Sequence, residues 1–287
     1  MKVAVIGGAG RMGAWIVEYF SSKGFPTVVS DVRIEEARSM ASTVGVELAE
    51  TNIDAVKNAD LALICVPIDR IPEVISEIAP HMRKEAILAE VSSVKEKTIE
   101  ALRETASLGV RPLSIHPMFG PAAESLKGNT IVVVPVIDRD VEANLTKRLF
   151  EEAEIVVSEE REHDRVMAIV LSLTYLMNLT FARVLSDVDL VLLKKLAGTS
   201  FTVQLAIAES IVAEDSRLVT SLLKENRFTE TYFDRFINEA NRIMEFVKDD
   251  SDGFDQLYNS LRARLENDPD YSHADERRHR AFEALKR

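Results

Sequence analysis

The 287-residue sequence predicts an α/β Rossmann domain, with a doubly wound and mostly parallel sheet, followed by an all-α domain. Three observations carry that prediction. Short β-branched runs alternate with helical periods through the first 160 residues. Strand-like runs then stop. No proline stands between Pro135 and Pro269, which suits long helices. In order, Lys2 to Ile6 reads as a strand and Met12 to Lys23 as a helix with Met12, Trp15, Ile16, Tyr19 and Phe20 on one face. Thr27 to Ser30 is a strand, Glu35 to Thr43 a helix, and Glu47 to Ala49 a short strand. A short helix over Asn52 to Asn58 precedes the apolar strand Leu61 to Val66. Helix Ile71 to Ala79, strand Ala86 to Glu90 and helix Lys95 to Thr105 follow. Arg111 to Ile115 and Thr130 to Val134 are strands, Val141 to Ala153 a helix, and Glu154 to Val157 the last strand.

The second half reads as helices over His163 to Leu185, Leu190 to Ala213, Phe228 to Val247 and Phe254 to Leu265, with the charged segment Tyr271 to Arg287 as a terminal helix. The first two of these are apolar around much of their circumference. Helices of that kind are covered by a core or by a partner chain, and a homodimer is expected. The stretch Val166 to Val184 carries Ser172, Thr174, Asn178, Thr180 and Arg183, so it reads as a buried soluble helix and no membrane partner is expected.

Composition is globular, with 46% hydrophobic and 29% charged residues. Lys and Arg number 35 against 47 Asp and Glu, a net charge of −12. An acidic chain without a Lys/Arg block repels phosphate backbones, so nucleic acid is not expected as a partner. The single cysteine, Cys65, excludes an intramolecular disulfide and a multi-cysteine metal site, and it reads as an inert strand residue. A reducing, cytoplasmic setting fits. No metal is expected.

Gly8-Ala9-Gly10-Arg11-Met12-Gly13 matches G-x-G-x-x-G directly after the first strand and at the opening of the first helix. Gly8 is read as allowing the tight turn, Gly10 as letting a pyrophosphate approach the backbone, and Gly13 as letting the helix pack on the strand. The positive helix end then holds the anion. Asp31 lies 18 residues past Gly13, where a carboxylate accepts hydrogen bonds from a ribose diol and repels a 2′-phosphate. That favours NAD. Arg33 keeps NADP open. The chain thus divides into a dinucleotide-binding domain, 1–160, and a helical substrate and dimerisation domain, 161–287.

Two further segments lie beyond predicted strand ends, where open α/β sheets bind ligands. Ser92-Ser93-Val94-Lys95-Glu96 has the spacing of a capping box between Ser93 and Glu96, and both serines are placed for substrate contact. His116 opens the run His116-Pro117-Met118-Phe119-Gly120-Pro121. A neutral imidazole there takes a proton from an alcohol while hydride leaves the same carbon.

The order GGAGRMG, VPI (Val66 to Ile68), SSVK (Ser92 to Lys95), HPMFGP and EHDR (Glu162 to Arg165) resembles the prephenate dehydrogenase (TyrA) family, and most of all its archaeal-type members. The resemblance spans residues 1 to about 185. It implies oxidative decarboxylation of prephenate, or of its amino analogue arogenate, with NAD(P) as hydride acceptor on the route to tyrosine. It also implies His116 as the residue that assists loss of the ring hydroxyl's proton and Ser93 as a contact to that hydroxyl or to the histidine. The glycine turn with Arg11 and Met12, Asp31, Val66 and Pro67 would bind the cofactor, and Ser92 the substrate. Two positions depart from the family pattern. Tyr175 stands where many members have a substrate-binding histidine, and Gln204 where bacterial members have an arginine for a substrate carboxylate. Both are kept as substrate-binding candidates, with Arg165, Arg183 or a residue of a second chain as alternative carboxylate partners. His163-Asp164 reads as joining domain to domain. Relatives of this kind are often fused to chorismate mutase or prephenate dehydratase, and no residue here shows such a fusion. The alternatives are a hydroxyacid or imine reductase, a deazaflavin-dependent NADP reductase, and a nucleotide-sensing protein without turnover.

Overall fold

The computed structural model describes residues 1–249 and 251–286. They form two compact units, one of residues 1–167 with 220–227, the other of residues 168–219 with 228–287, whose last residue lies outside the description.

The first unit is built on an eight-stranded sheet in the order β3-β2-β1-β4-β5-β6-β7-β8. The strands are β1 (Val3–Ile6), β2 (Thr27–Ser30), β3 (Glu47–Leu48), β4 (Leu61–Ile64), β5 (Ile87–Glu90), β6 (Arg111–Pro117), β7 (Thr130–Val133) and β8 (Glu154–Val157). All neighbours are parallel except β6 and β7. Between them run α1 (Arg11–Ser22), α2 (Ile34–Val44), α3 (Asn52–Val56), α4 (Ile71–Ile78), α5 (Glu96–Thr105) and α6 (Arg139–Leu149), and α7 (Glu160–Met167) follows β8.

Near-continuous apolar strands are what a sheet covered on both faces requires. Alternate residues feed two cores. Val3, Val5, Leu61, Leu63 and Ile115 pack with Ile16, Val17 and Phe20 of α1 and Leu145 of α6. Ala4, Ile6, Ala62, Ile64 and Leu88 pack with Val74, Ile75 and Ile78 of α4 and Leu102 of α5. Strand order reverses at β1, whose neighbours are β2 and β4, so the turn after β1 sits at the switch point where such sheets open a crevice.

The second unit is helical. A π-helical stretch, Ala168–Leu173, precedes α8 (Thr174–Leu185). The predicted helix Leu190 to Ala213 is two helices, α9 (Leu190–Leu196) and α10 (Thr199–Val212), because the chain leaves helical geometry at Ala197 and Gly198 caps the next segment. A helix absent from the sequence prediction, α11 (Ser216–Glu225), is shared between the units, and α12 (Thr229–Asp249), α13 (Ser251–Leu265) and α14 (Ala274–Leu285) complete the chain. Helical residues 160–185 are long and apolar enough to cross a membrane by length and composition alone.

Candidate active site

The register of the parallel strands sets the site. Ser30, Ile6, Ile64, Glu90 and Ser114 lie in one row across β2, β1, β4, β5 and β6. Counting two residues past that row toward the carboxyl edge reaches Gly8, Val66, Ser92 and His116. Glycine turn, VPI, SSVK and HPM segments therefore come to one edge of the first unit.

On the β1 side the site is backbone. The left-handed residue of the turn is Gly7 (φ +80°), not Gly8 as the motif suggested. Gly8 has a different constraint: a Cβ there would lie 2.1 Å from Val29 Cγ2. At Gly13 a Cβ would lie 2.2 Å from the Gly7 carbonyl oxygen, so α1 packs directly on the turn. Gly10 is the N-cap of α1 and offers no side chain to its first turn, which opens with exposed Arg11 and half-buried Met12. First-turn N–H groups of a helix have no intrahelical acceptor, and the helix dipole is positive there. This bare helix start, with a Cβ-less residue at its tip, fits the pyrophosphate of a dinucleotide. Val66 borders it, its Cγ1 3.0 Å from the position a Gly7 Cβ would take, and Pro67 next to it is exposed.

Asp31 is buried and already engaged. Its carboxylate accepts from Ala9 N at 3.0 Å, from Arg33 N at 2.9 Å and from Arg33 Nε at 3.3 Å. It thereby clamps the glycine turn to the end of β2. Arg33 also donates to Glu36 at 2.8 Å.

On the β5–β6 side the site is made of buried polar side chains. Glu90 and Lys95 have no exposed surface and pair at 2.7 Å. Glu90 also accepts from Ser92 N at 2.7 Å and from Ser114 Oγ at 2.5 Å. Lys95 Nζ donates to the Ile115 carbonyl at 2.7 Å, which ties down the residue before His116. Burial lowers the Lys95 pKa, and Glu90 opposes that shift. Burial, with Glu90 adding, pushes the Cys65 thiol up, which keeps it protonated and inert.

The expected Ser93–Glu96 capping box does not form. Helix α5 begins at Glu96, and its cap comes from elsewhere in the chain. Asp164 accepts from Lys95 N at 2.9 Å and from Glu96 N at 3.1 Å. The serine is out of register, because Lys95 and not Ser93 holds the N-cap position; the Ser92 hydroxyl donates to the Val94 carbonyl (2.8 Å), and no partner for the Ser93 hydroxyl is found among the described residues.

His116 lies inside β6, which runs on to Pro117 and pairs with β7 (His116 opposite Val132). It is 5% exposed. Its Nδ1 lies 3.1 Å from His163 Nε2, and His163 Nδ1 lies 2.8 Å from Asp164 Oδ1. Burial pushes the His116 pKa well below 6.5, with Lys95 and His163 acting in the same direction. His163 is lowered too, mainly by burial, against the pull of Asp164. His116 is thus a neutral imidazole at neutral pH, and among the described residues no hydrogen bond engages its Nε2. The loop that follows is pinned to α1: Trp15 Nε1 donates to the Ala123 carbonyl at 2.8 Å, and the Trp15 and Phe119 rings meet at 5.0 Å.

Residues 18–159 match the family described as prephenate dehydrogenase, nucleotide-binding domain, and residues 159–263 match prephenate dehydrogenase, dimerization domain. The chain belongs to the prephenate dehydrogenase family. A Methanocaldococcus jannaschii protein bearing the name "probable arogenate/prephenate dehydrogenase" is 29% identical over 88% of this chain. The chain spans only 58% of that relative's length. Two solved structures share the fold. The Synechocystis arogenate dehydrogenase has a TM-score of 0.71 at 18% identity, covering 93% of this chain and 99% of its own. A prephenate dehydrogenase from A. aeolicus, solved with hydroxyphenyl propionate and NAD+, has a TM-score of 0.74 at 20% identity, covering 93% and 98%.

The two positions that depart from the family pattern lie in the second unit. Tyr175 is half-buried on α8. Gln204, on α10, donates from Nε2 to Asn178 Oδ1 at 2.6 Å, and Asn178 in turn donates to the Thr174 carbonyl at 2.9 Å. Arg165 pairs with Glu162 at 3.0 Å, and Arg183 pairs with Asp187 at 3.5 Å on an exposed surface. Sequence reading missed Glu90, and it gave Lys95 and His163 no part beside His116. The linear signal of Glu90 was a charge at the end of an apolar strand, while Lys95 and His163 stood inside the SSVK and EHDR segments without a pointer to His116.

Proposed function

We propose that the chain oxidatively decarboxylates prephenate to 4-hydroxyphenylpyruvate, with NAD as hydride acceptor, on the route to tyrosine. One observation carries the reading: in a chain of this family, a buried neutral imidazole stands at the same sheet edge as the bare helix start, with Nε2 left for a substrate. NAD, held at Gly8, Gly10, Gly13 and Asp31, would supply the hydride acceptor. His116 Nε2 takes the proton of the ring hydroxyl as that carbon is oxidised. The ring carboxylate then leaves as CO2 and the ring becomes aromatic. The oxygen takes the proton back from His116, so no proton is consumed and the residue ends neutral. Aromatisation supplies the driving force, so a base of low pKa suffices. Ser92 and Ser93 would flank the substrate, and the Ser93 hydroxyl, with no partner found among the described residues, would bond the ring hydroxyl.

Arogenate is the second reading, and Tyr175 favours it. A phenol brings no positive charge for the extra anionic character of prephenate. For the cofactor, Arg33 lies against Asp31 and offsets part of the repulsion a 2′-phosphate would meet, so NADP is the second choice.

The second unit carries exposed apolar side chains on α8 to α10, among them Val184 (68% exposed), Val191 (65%) and Leu196 (78%). A second copy of the chain would cover this surface in a cytoplasmic homodimer. The deciding experiment is an assay with both cyclohexadienyl acids and both cofactors, following the absorbance of reduced nicotinamide. Prephenate with NAD should give the highest kcat/KM. Tight NAD binding without turnover of either acid would replace the reading with a nucleotide-binding protein.

A further inference from the structure

The pair His163-Asp164 has a geometry that fixes where the proton of His116 sits. Asp164 faces three N–H groups: the backbone N–H of Lys95, that of Glu96, and the Nδ1 side of His163. A carboxylate capping a helix N-terminus is an acceptor only. His163 must therefore carry its hydrogen on Nδ1. In a neutral ring the other nitrogen, Nε2, is then a lone pair. That lone pair faces His116 Nδ1 at 3.1 Å, so the hydrogen between the rings belongs to His116 Nδ1. His116 Nε2 is left as the lone pair.

We propose that His163 is a positioning residue that, anchored by Asp164, locks His116 in the tautomer whose Nε2 accepts the substrate proton. The inference rests on the reading of His116 as the base. As His116 gains a proton at Nε2, its Nδ1–H bond to His163 strengthens, and the positive charge spreads toward Asp164 without a change of ring orientation. The charged and titratable groups that bear on His116 are His163 from α7 and Lys95 at the start of α5, and those on His163 are Asp164, Lys95 and Glu90 of β5. The Lys95 ammonium is held by Glu90 and by the Ile115 carbonyl, so it does not compete for His116 Nδ1.

The test combines a spectrum with kinetics. In 15N-histidine-labelled wild-type protein, nitrogen NMR at neutral pH should show His116 protonated on Nδ1 and unprotonated on Nε2. A wild-type His116 protonated on Nε2 overturns the proposal with no variant needed. His163→Leu removes the acceptor and should lower kcat on the order of 100-fold, with KM and NAD affinity changed less than about twofold. His163→Gln puts a carbonyl oxygen where ring Nε2 stood and should recover on the order of tenfold of that loss, because the amide still accepts from Nδ1–H. Wild-type kcat in a folded His163→Leu enzyme, or Gln no better than Leu, counts against the positioning role. If His116→Asn itself keeps full turnover, the base assignment fails, whatever the tautomer. If His116→Asn is inactive while His163→Leu is fully active, only the positioning role fails.

Discussion

The two sides of the sheet edge handle charge by opposite means. The glycine turn would meet an anion with backbone: a helix start without a capping side chain, glycines where Val29 and the Gly7 carbonyl leave no room for a Cβ, and one buried acid that ties the turn to β2. The β5–β6 side, where the proposed base His116 stands, is built of side chains taken out of water, two of them a Glu90–Lys95 pair with no exposed surface. Backbone N–H groups have fixed polarity and need no titration. A base must change charge, so its surroundings have to hold a neutral ring in place and yet tolerate a brief cation. The difference teaches that the binding side is specified by the absence of side chains and the chemical side by their mutual satisfaction.

That contrast breaks most visibly at His116. His116→Asn should lower kcat on the order of 1,000-fold, near the middle of what positioned acid–base catalysis supplies, and should leave NAD affinity unchanged by titration calorimetry. A parallel loss of NAD affinity would mean that the two sides are one cooperative structure rather than two devices.

A comparable effect is expected at Lys95, and it falls on stability. Lys95→Met leaves Glu90 buried without its cation, and breaking a buried pair from one side costs about 3–5 kcal/mol. Thermal unfolding should record a Tm loss that the double variant Glu90→Gln/Lys95→Met recovers in part, since both charges then go together. Equal Tm values for the single and double variants would show that Lys95 acts through its bond to the Ile115 carbonyl instead.

The same contrast explains what the linear sequence disclosed. The glycine turn spans six consecutive residues between a strand and a helix, so its spacing alone announces it. Only the left-handed position was misplaced, by one residue, because the motif does not state which glycine bends. His116 was legible through its strand-end context. Its supporting groups were not. Only His163 of α7 touches it, and behind that ring stands Asp164, while Glu90 of β5 acts through Lys95; the helix α5 is capped by a carboxylate 68 residues away in place of the serine three residues upstream. Long-range caps and buried ion pairs leave no periodic signature. The break at Ala197 and Gly198 escaped for a related reason: hydrophobic periodicity reports helical faces, and it runs through a two-residue interruption without a change of phase strong enough to notice.

The smallest expected effect is also the one whose sign is most informative. His116 and His163 both have pKa values below 6.5 in the folded chain, chiefly through burial, while in the unfolded chain each returns to about 6.5. As pH falls through about 6.5 the unfolded chain takes up protons that the folded chain still refuses, so stability is full above that value and declines below it. Tm measured from about pH 7.5 down to about pH 5.5 should therefore fall, and the double variant His116→Asn/His163→Gln should flatten the decline over that window. The acid limb of kcat/KM should lie below about 6.5 in the same buffers, because the free enzyme loses its base only when His116 is protonated. A Tm that rises on acidification would show imidazolium inside the fold. The β5–β6 side would then be an anion site like the glycine turn, and the opposition between the two would disappear.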